Sequence, residues 1–368
     1  MRRSQALSRT AVSRLVREHF PSKPAGAYLD TASIGLVPTE VAAAVAECYA
    51  ALGAGTSGSA RWRPVVEKAR SAFASEFGVG EDEISFMAST GEAMNAIARA
   101  VRWRPDDEIL ALSGEFPTVT LPWLRLGAGV RLVEVDPLAG DDRLGALLAA
   151  IGTHTRVVAV SHISSFTGTL VDLDTLGRAC AQAGATFVVD GAQSAGAIPL
   201  TLDHVDFYIA TAYKWLLAGF GVAVVVSKRA SMLQMTPTLL GYGNQAPPPA
   251  LAFGHLNLPG VYALAAAAAV RQSVGLEAIY ARIAQLARRV YNETVAMGYS
   301  PVAALERSGG IVSLRGISEA QSVVARLAAA GVAVAERGGY LRISPNFYTA
   351  DREIDLLLTA LNDLRATR

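Results

Sequence analysis

From about Tyr28 onward, short apolar runs alternate with longer stretches in which apolar residues recur every three or four positions. That alternation is the signature of βαβ units feeding a mostly parallel sheet. Strands are predicted at 83–87, 108–112, 130–135, 156–161, 186–190, 207–210 and 221–226, several of them apolar nearly throughout, as strands covered on both faces must be. Helical spacing predicts helices at 38–52, 64–77, 91–101, 174–183 and 262–274. The stretch 241–249, with three consecutive prolines, reads as a loop leaving the sheet. Beyond it the pattern changes: a long helix at 276–297, a strand at 310–315, a helix at 319–330, strands at 332–336 and 340–343, and a helix at 351–365. The expected architecture is α/β, with a large domain over residues 28–257 built on a seven-stranded sheet. A small α+β domain, including an interdomain helix, is expected from 258–368 together with the N-terminal segment 1–27.

Composition narrows the class. The 368 residues are 51% hydrophobic and 18% charged, with a formal net charge of +1, which fits neither a disordered chain nor one built for a polyanionic partner. Two cysteines, Cys48 and Cys180, are too few for a disulfide framework or a four-cysteine zinc site. Ser4, Arg9, Ser13 and Arg14 interrupt the place where an apolar signal core would lie. The longest apolar run, 258–270, contains Pro259 and Gly260 and is shorter than the roughly 20 residues of a membrane helix. A cytoplasmic protein without membrane or nucleic-acid partners is expected. The basic N-terminal helix, with Arg9, Arg14 and Arg17, lacks a turn-helix partner for DNA and reads as a solvated or dimer-packing face.

Three positions suggest chemistry. Asp190 ends an apolar strand and precedes Gly191, Ala192 and Gln193, at the strand edge where open α/β sheets bind ligands, although a turn-forming aspartate looks the same in isolation. Lys214, flanked by Tyr213 and Trp215 between two apolar strands, is poorly placed for a solvated role, and burial would depress its pKa as a Schiff-base lysine requires. Ser89-Thr90-Gly91 puts hydroxyls and a flexible backbone at a helix N-terminus, suited to phosphate or to a plain cap. Together they supply a lysine for an aldehyde, a carboxylate for a ring nitrogen and a helix N-terminus for a phosphate. Pyridoxal 5′-phosphate has those three handles.

The same residues resemble the class V aminotransferase branch of fold-type I pyridoxal-phosphate enzymes, which includes cysteine desulfurases, isopenicillin-N epimerase-like proteins and ergothioneine-type C–S lyases. The likeness runs from Tyr28-Leu29-Asp30 to Arg342-Ile343-Ser344-Pro345-Asn346-Phe347-Tyr348. It implies that Lys214 forms the internal aldimine, Asp190 holds the pyridinium nitrogen and Gln193 lies near the ring hydroxyl. Thr90, Gly91, Thr211 and Tyr213 would take the phosphate, and Phe116 would stack on the pyridine ring. Arg342 would bind the substrate carboxylate, with Thr31 and Ser33 beside it. It further implies catalysis on an L-amino acid through an external aldimine and a quinonoid carbanion, in a homodimer.

The sequence departs from that pattern in three places. The stretch Ala335-Glu336-Arg337-Gly338-Gly339-Tyr340 has no cysteine where desulfurases carry theirs, which argues against persulfide chemistry. Ser165 stands where those enzymes place an asparagine on the cofactor hydroxyl. His255 stands where relatives carry a threonine that reaches the partner's phosphate, and His162 reads as a core histidine. A nicotinamide dehydrogenase is disfavoured because Gly127-Ala128-Gly129 lacks the third glycine and precedes a strand. The resulting expectation is a cysteine-conjugate C–S lyase, with an aminotransferase, epimerase or decarboxylase as the alternative and a non-catalytic cofactor-binding regulator further off.

Overall fold

The computed structural model describes residues 7–124, 126, 129–137, 142–244, 251–317 and 319–366. Its centre is a seven-stranded sheet in the order Ile84–Met87, Ala223–Ser227, Phe207–Thr211, Thr186–Asp190, Thr155–Ser161, Glu108–Leu112, Arg131–Val135. Neighbouring strands are parallel except for Ala223–Ser227, which is antiparallel to both its partners. All seven expected strands are present. Ala223–Ser227 starts two residues later than its apolar run because Gly219 and Gly221, both at positive φ, make the turn that leads into it.

Alternation along these strands divides the core in two. Val158, Val160, Phe187, Val189, Tyr208 and Val224 face one layer, and Val157, Ala159, Val188, Phe207, Ile209 and Val225 face the other. On the first side lie the helices Thr39–Gly53 and Trp62–Phe77, joined by Leu258–Val274. This last helix thus packs in the core of the large sheet, on the other side of the sequence boundary at 257/258. Its Val261, Leu264 and Ala268 are buried there. On the second side Thr90–Ala100 buries Ala93, Met94 and Ile97. In the 241–249 loop, residues 245–249, including the prolines, lie outside the described residues.

A four-stranded antiparallel sheet follows, ordered Ala335–Arg337, Tyr340–Ile343, Val312–Arg315, Ser300–Pro301. Its core is shared with the helices Leu276–Ala296, Ala320–Ala329 and Asp351–Ala366. The run expected as one strand at 332–336 is two, since Val332–Ala333 pairs in parallel with Ala27–Tyr28 whereas Ala335–Arg337 turns onto Tyr340–Ile343. The N-terminal helix Arg9–His19, capped by Ser8, buries Val12 and Leu15 and leaves Arg14 and Arg17 exposed. Among the described residues no helix is long and apolar enough to cross a membrane.

Candidate active site

Strands Thr155–Ser161, Thr186–Asp190 and Phe207–Thr211 run parallel, so their carboxyl ends deliver Ser161, Asp190 and Thr211 to one edge of the sheet. Past Thr211 the chain turns sharply, with Leu217 in the left-handed region at φ 63° and its amide bonded to the Lys214 carbonyl at 3.2 Å. A loop from the N-terminal segment braces this turn: the Gly35 amide donates to the Tyr213 carbonyl at 2.8 Å. A Cβ on Gly35 would stand 1.9 Å from the Lys214 carbonyl oxygen, so only glycine allows the approach.

Lys214 is 8% exposed, and its Nζ lies 5.7 Å from the ring centre of Phe116 and 5.6 Å from that of Tyr213. Burial pushes its ammonium down from 10.5 to about 8; Asp190 opposes the shift, and the Arg342 and Arg337 guanidinium groups reinforce it. Asp190 is buried as well, and its Oδ1 accepts the Ala192 amide at 2.8 Å. Desolvation pushes its carboxyl up despite that bond and the attraction of Lys214. Both groups are therefore displaced toward their neutral forms: burial outweighs their pairing.

One pocket collects Thr90, Phe116, Ser165, Asp190, Gln193, Thr211, Tyr213 and Lys214 from five separate parts of the chain. At its Thr90 end the Ser89 hydroxyl caps the helix by accepting the Glu92 amide at 3.0 Å. The amides of Thr90 and Gly91, first in the helix, point out of its N-terminus without helical acceptors. A Cβ at Gly91 would meet only Ser89 Oγ, at 3.7 Å, so packing does not demand glycine there and open space lies over those amides. Phe116 is 42% exposed, a bare ring face beside Lys214. Gln193 is held at both ends: its Nε2 donates to the Ala32 carbonyl at 3.0 Å and its Oε1 accepts Trp215 Nε1 at 2.8 Å, which leaves one side-chain N–H.

Arg342 lies next to this pocket, 2% exposed, donating from Nη1 to the Ser165 carbonyl at 2.8 Å and from Nη2 to Ser33 Oγ at 2.6 Å and Asp30 Oδ1 at 3.2 Å. Its Nε–H is buried with no acceptor among the described residues. Thr31 is not brought here, and His255, expected at a partner's phosphate, lies apart from the pocket of its own chain. Thr31 is fully buried with its hydroxyl on Tyr348 at 3.0 Å, and His255 lines a separate cavity with Met87 and Glu92, against the Tyr242 ring. His162 is buried, held neutral with its pKa near 3, and borders a different surface cleft.

The sequence reading missed Asp30, Arg337, Ser161 and Glu115. Glu115 is buried beside the pocket, where its carboxylate accepts both the amide and the hydroxyl of Ser161, at 3.0 and 2.5 Å. Its position next to Phe116 was the available signal. Neither cysteine is near: Cys48 is buried in Thr39–Gly53 and Cys180 in the large core, where burial raises its thiol to about 12. Among the described residues no cluster could hold a metal ion.

A buried lysine at reduced pKa, a carboxylate across from it, an exposed aromatic face and free helix amides fit the aldehyde, ring nitrogen, ring face and phosphate of pyridoxal 5′-phosphate. Comparison with known proteins agrees. A "Probable cysteine desulfurase" of Methanothermobacter thermautotrophicus is 27% identical over 95% of this chain and 97% of its own length. Isopenicillin N epimerase of Streptomyces clavuligerus is 29% identical over 78% of this chain and 81% of its own. The fold matches that of the Escherichia coli cysteine desulfurase CsdA with a TM-score of 0.87, at 23% identity, covering 99% of this chain and 100% of the other. The family model for class-V aminotransferases spans residues 27–357, so that the whole pocket lies inside the match: the chain belongs to the class-V aminotransferase family and is an enzyme whose cofactor is pyridoxal 5′-phosphate.

Proposed function

We propose that the enzyme removes the Cα proton of an L-amino acid with Lys214 and releases a sulfur substituent from Cβ, as a C–S lyase on cysteine S-conjugates that needs no protein thiol. The observation that carries this reading is the placement of Lys214, buried between the Phe116 and Tyr213 rings in one pocket with Asp190. When bound, pyridoxal phosphate supplies the aldehyde that captures the substrate amine and a ring that takes up electrons from the α-carbon.

The chain's own residues divide the remaining work. Asp190 would hold a proton on the ring nitrogen, and the Thr90 and Gly91 amides with Thr211 and Tyr213 would hold the phosphate. Phe116 would stack on the cofactor ring, and the remaining N–H of Gln193 would serve the ring hydroxyl, with the Ser165 hydroxyl as a shorter substitute for an asparagine. A lysine with pKa about 8 has a sizeable fraction of free amine near neutral pH, the form a general base requires. Arg342, with Nε–H unpaired and Ser33 beside it, would receive the α-carboxylate. In the elimination the Cα–H and Cβ–S bonds break, the electron pair of the latter leaves with sulfur, and consumption of water gives thiol, pyruvate and ammonia.

The named relatives bracket this chemistry: an epimerase has to remove and return a Cα proton, and a desulfurase takes sulfur from cysteine. What favours elimination here is the thiol-free loop 335–340 and the burial of both cysteines in helices. We further propose that two copies pair, with His255, packed against the Tyr242 ring, serving the partner's phosphate.

Incubation with S-substituted cysteines should release thiol and pyruvate in equal amounts, and the Cys48→Ala/Cys180→Ala double variant should do so at the wild-type rate. Pyridoxamine phosphate accumulating without thiol would overturn the lyase assignment. Absence of a borohydride-reducible link between Lys214 and the cofactor would overturn the whole reading.

A further inference from the structure

We propose that Arg337 is a second anion-binding residue of the substrate site, selecting amino acids whose side chain carries an acidic group; this rests on the placement of substrate between Lys214 and Arg342 argued above. The starting point is the register of a hairpin. Ala335–Arg337 pairs antiparallel with Tyr340–Ile343, Ala335 facing Arg342 and Arg337 facing Tyr340. Directly paired residues point to the same side, and so do residues two apart, so Arg337 and Arg342 share one face while Glu336 and Leu341 share the other. Ala335, opposite Arg342, is too small to separate the two arginines. The connection is Gly338-Gly339, at φ 59° and 83°, the backbone that a tight hairpin turn with primed geometry requires. Glu336 ties the turn together by accepting the Gly339 amide at 2.7 Å.

Both guanidinium groups converge on one hydroxyl. Ser33 Oγ accepts Arg342 Nη2 at 2.6 Å and Arg337 Nη2 at 3.2 Å. The Asp30 carboxylate is bonded to Arg342 at 3.2 Å. Arg337 makes no ion pair among the described residues: its bonds go to Ser33 and to the carbonyl of Glu336. It is exposed at the rim, whereas Arg342 is buried, and both guanidinium groups weigh on the protonation of Lys214. If Arg342 takes the α-carboxylate, the site still has an unneutralised, forked cation a short distance outward. A side-chain carboxylate, sulfonate or comparable anion on the substrate would neutralise it with bidentate geometry. An uncharged side chain would leave Arg337 without a counter-ion from the substrate.

S-Carboxymethylcysteine and its amide S-carbamoylmethylcysteine test this, having the same shape and differing in one charge. The rate of Cα-hydrogen exchange with deuterated water reads the substrate preference whatever the later course of the reaction, and cofactor absorbance monitors the Lys214 link independently. The holoenzyme should exchange the acid with a kcat/KM roughly 10- to 100-fold above the amide, the range of one charged hydrogen-bonding contact. Arg337→Gln should bring that ratio close to one, Arg337→Lys should retain part of it, and Arg337→Glu should reverse it. Equal rates for acid and amide in the wild type, or a ratio that survives Arg337→Gln, would overturn the proposal while leaving the lysine link and the cofactor reading intact. A missing Lys214 link would strike the underlying reading instead.

Discussion

Replacing Lys214 by methionine should stabilise the cofactor-free protein, and do so in a pH-dependent way. In the folded apo-protein burial lowers the lysine pKa from 10.5 to about 8. Each unit is worth about 1.4 kcal/mol, so holding the charged ammonium in this pocket costs roughly 3 kcal/mol relative to the unfolded chain. Below pH 8 lysine is protonated in both states and the whole cost is present. Between pH 8 and 10.5 the folded form has released its proton and the unfolded form has not, so wild-type stability rises with pH. Above 10.5 both states are neutral and the cost is gone. Methionine, similar in length and without charge, avoids it at every pH. Urea unfolding of both apo-proteins at pH 7, 8, 9 and 10 should therefore show Lys214→Met more stable by about 3 kcal/mol at pH 7, with the advantage shrinking through pH 8 to 10. Tyrosines with raised pKa values, such as Tyr348 and Tyr280, contribute equally to both proteins and cancel. A difference constant across that range, or a destabilised variant at pH 7, would refute the claim that desolvation dominates at Lys214.

Asp190→Asn keeps an acceptor for the Ala192 amide, so the fold should persist while Cα exchange drops by roughly 10²-fold or more; thermal unfolding and exchange rate measured together check this. Gly35→Ala drives a Cβ into the Lys214 carbonyl, and a loss of about 1–3 kcal/mol with a shifted cofactor absorbance is expected from denaturant unfolding and spectroscopy of the variant. Glu76→Gln strands Arg271, which is fully buried and held by Glu76 through both ends of its fork. Unfolding free energies should show a loss of about 3–5 kcal/mol, with the substrate preference unaltered because the pair lies outside the pocket.

The large sheet was legible because its strands are buried on both faces, and a run such as Phe187-Val188-Val189 has no other use in a chain of this class. Asp190 and Lys214 were legible for the same reason, as charges at the ends of such runs. Partnerships across distance were not. Asp30 and Arg342 are joined by a bond spanning 312 positions, and neither shows a local pattern that names the other. The split of 332–336 depended on which strand each half meets, a property of the partners. The helix Arg143–Ala150 follows from its Asp142 cap, which accepts the Gly145 amide at 3.2 Å, but Leu-Gly-Ala-Leu-Leu-Ala-Ala has no polar face from which to read a period. Thr31, expected beside the substrate, has its hydroxyl on Tyr348, 317 positions away, a contact that no local pattern announces. The fork of Arg342 points to a site only once its burial beside the pocket, held by Ser33, Asp30 and Ser165, is seen.

The pairing of Ala27–Tyr28 with Val332–Ala333, and the bridge from Asp30 to Ser344, give this enzyme an order of assembly as well as a shape. Synthesis releases Asp190 and Lys214, with the strands that bear them, well before Arg342. The segment around Ala27–Asp30, made earlier, has to wait for strands made about 300 residues later before it can brace the substrate end of the pocket. A growing chain thus acquires the groups for its cofactor before it acquires the means to select an amino acid, and a reactive pocket becomes a discriminating one only when these two distant segments meet.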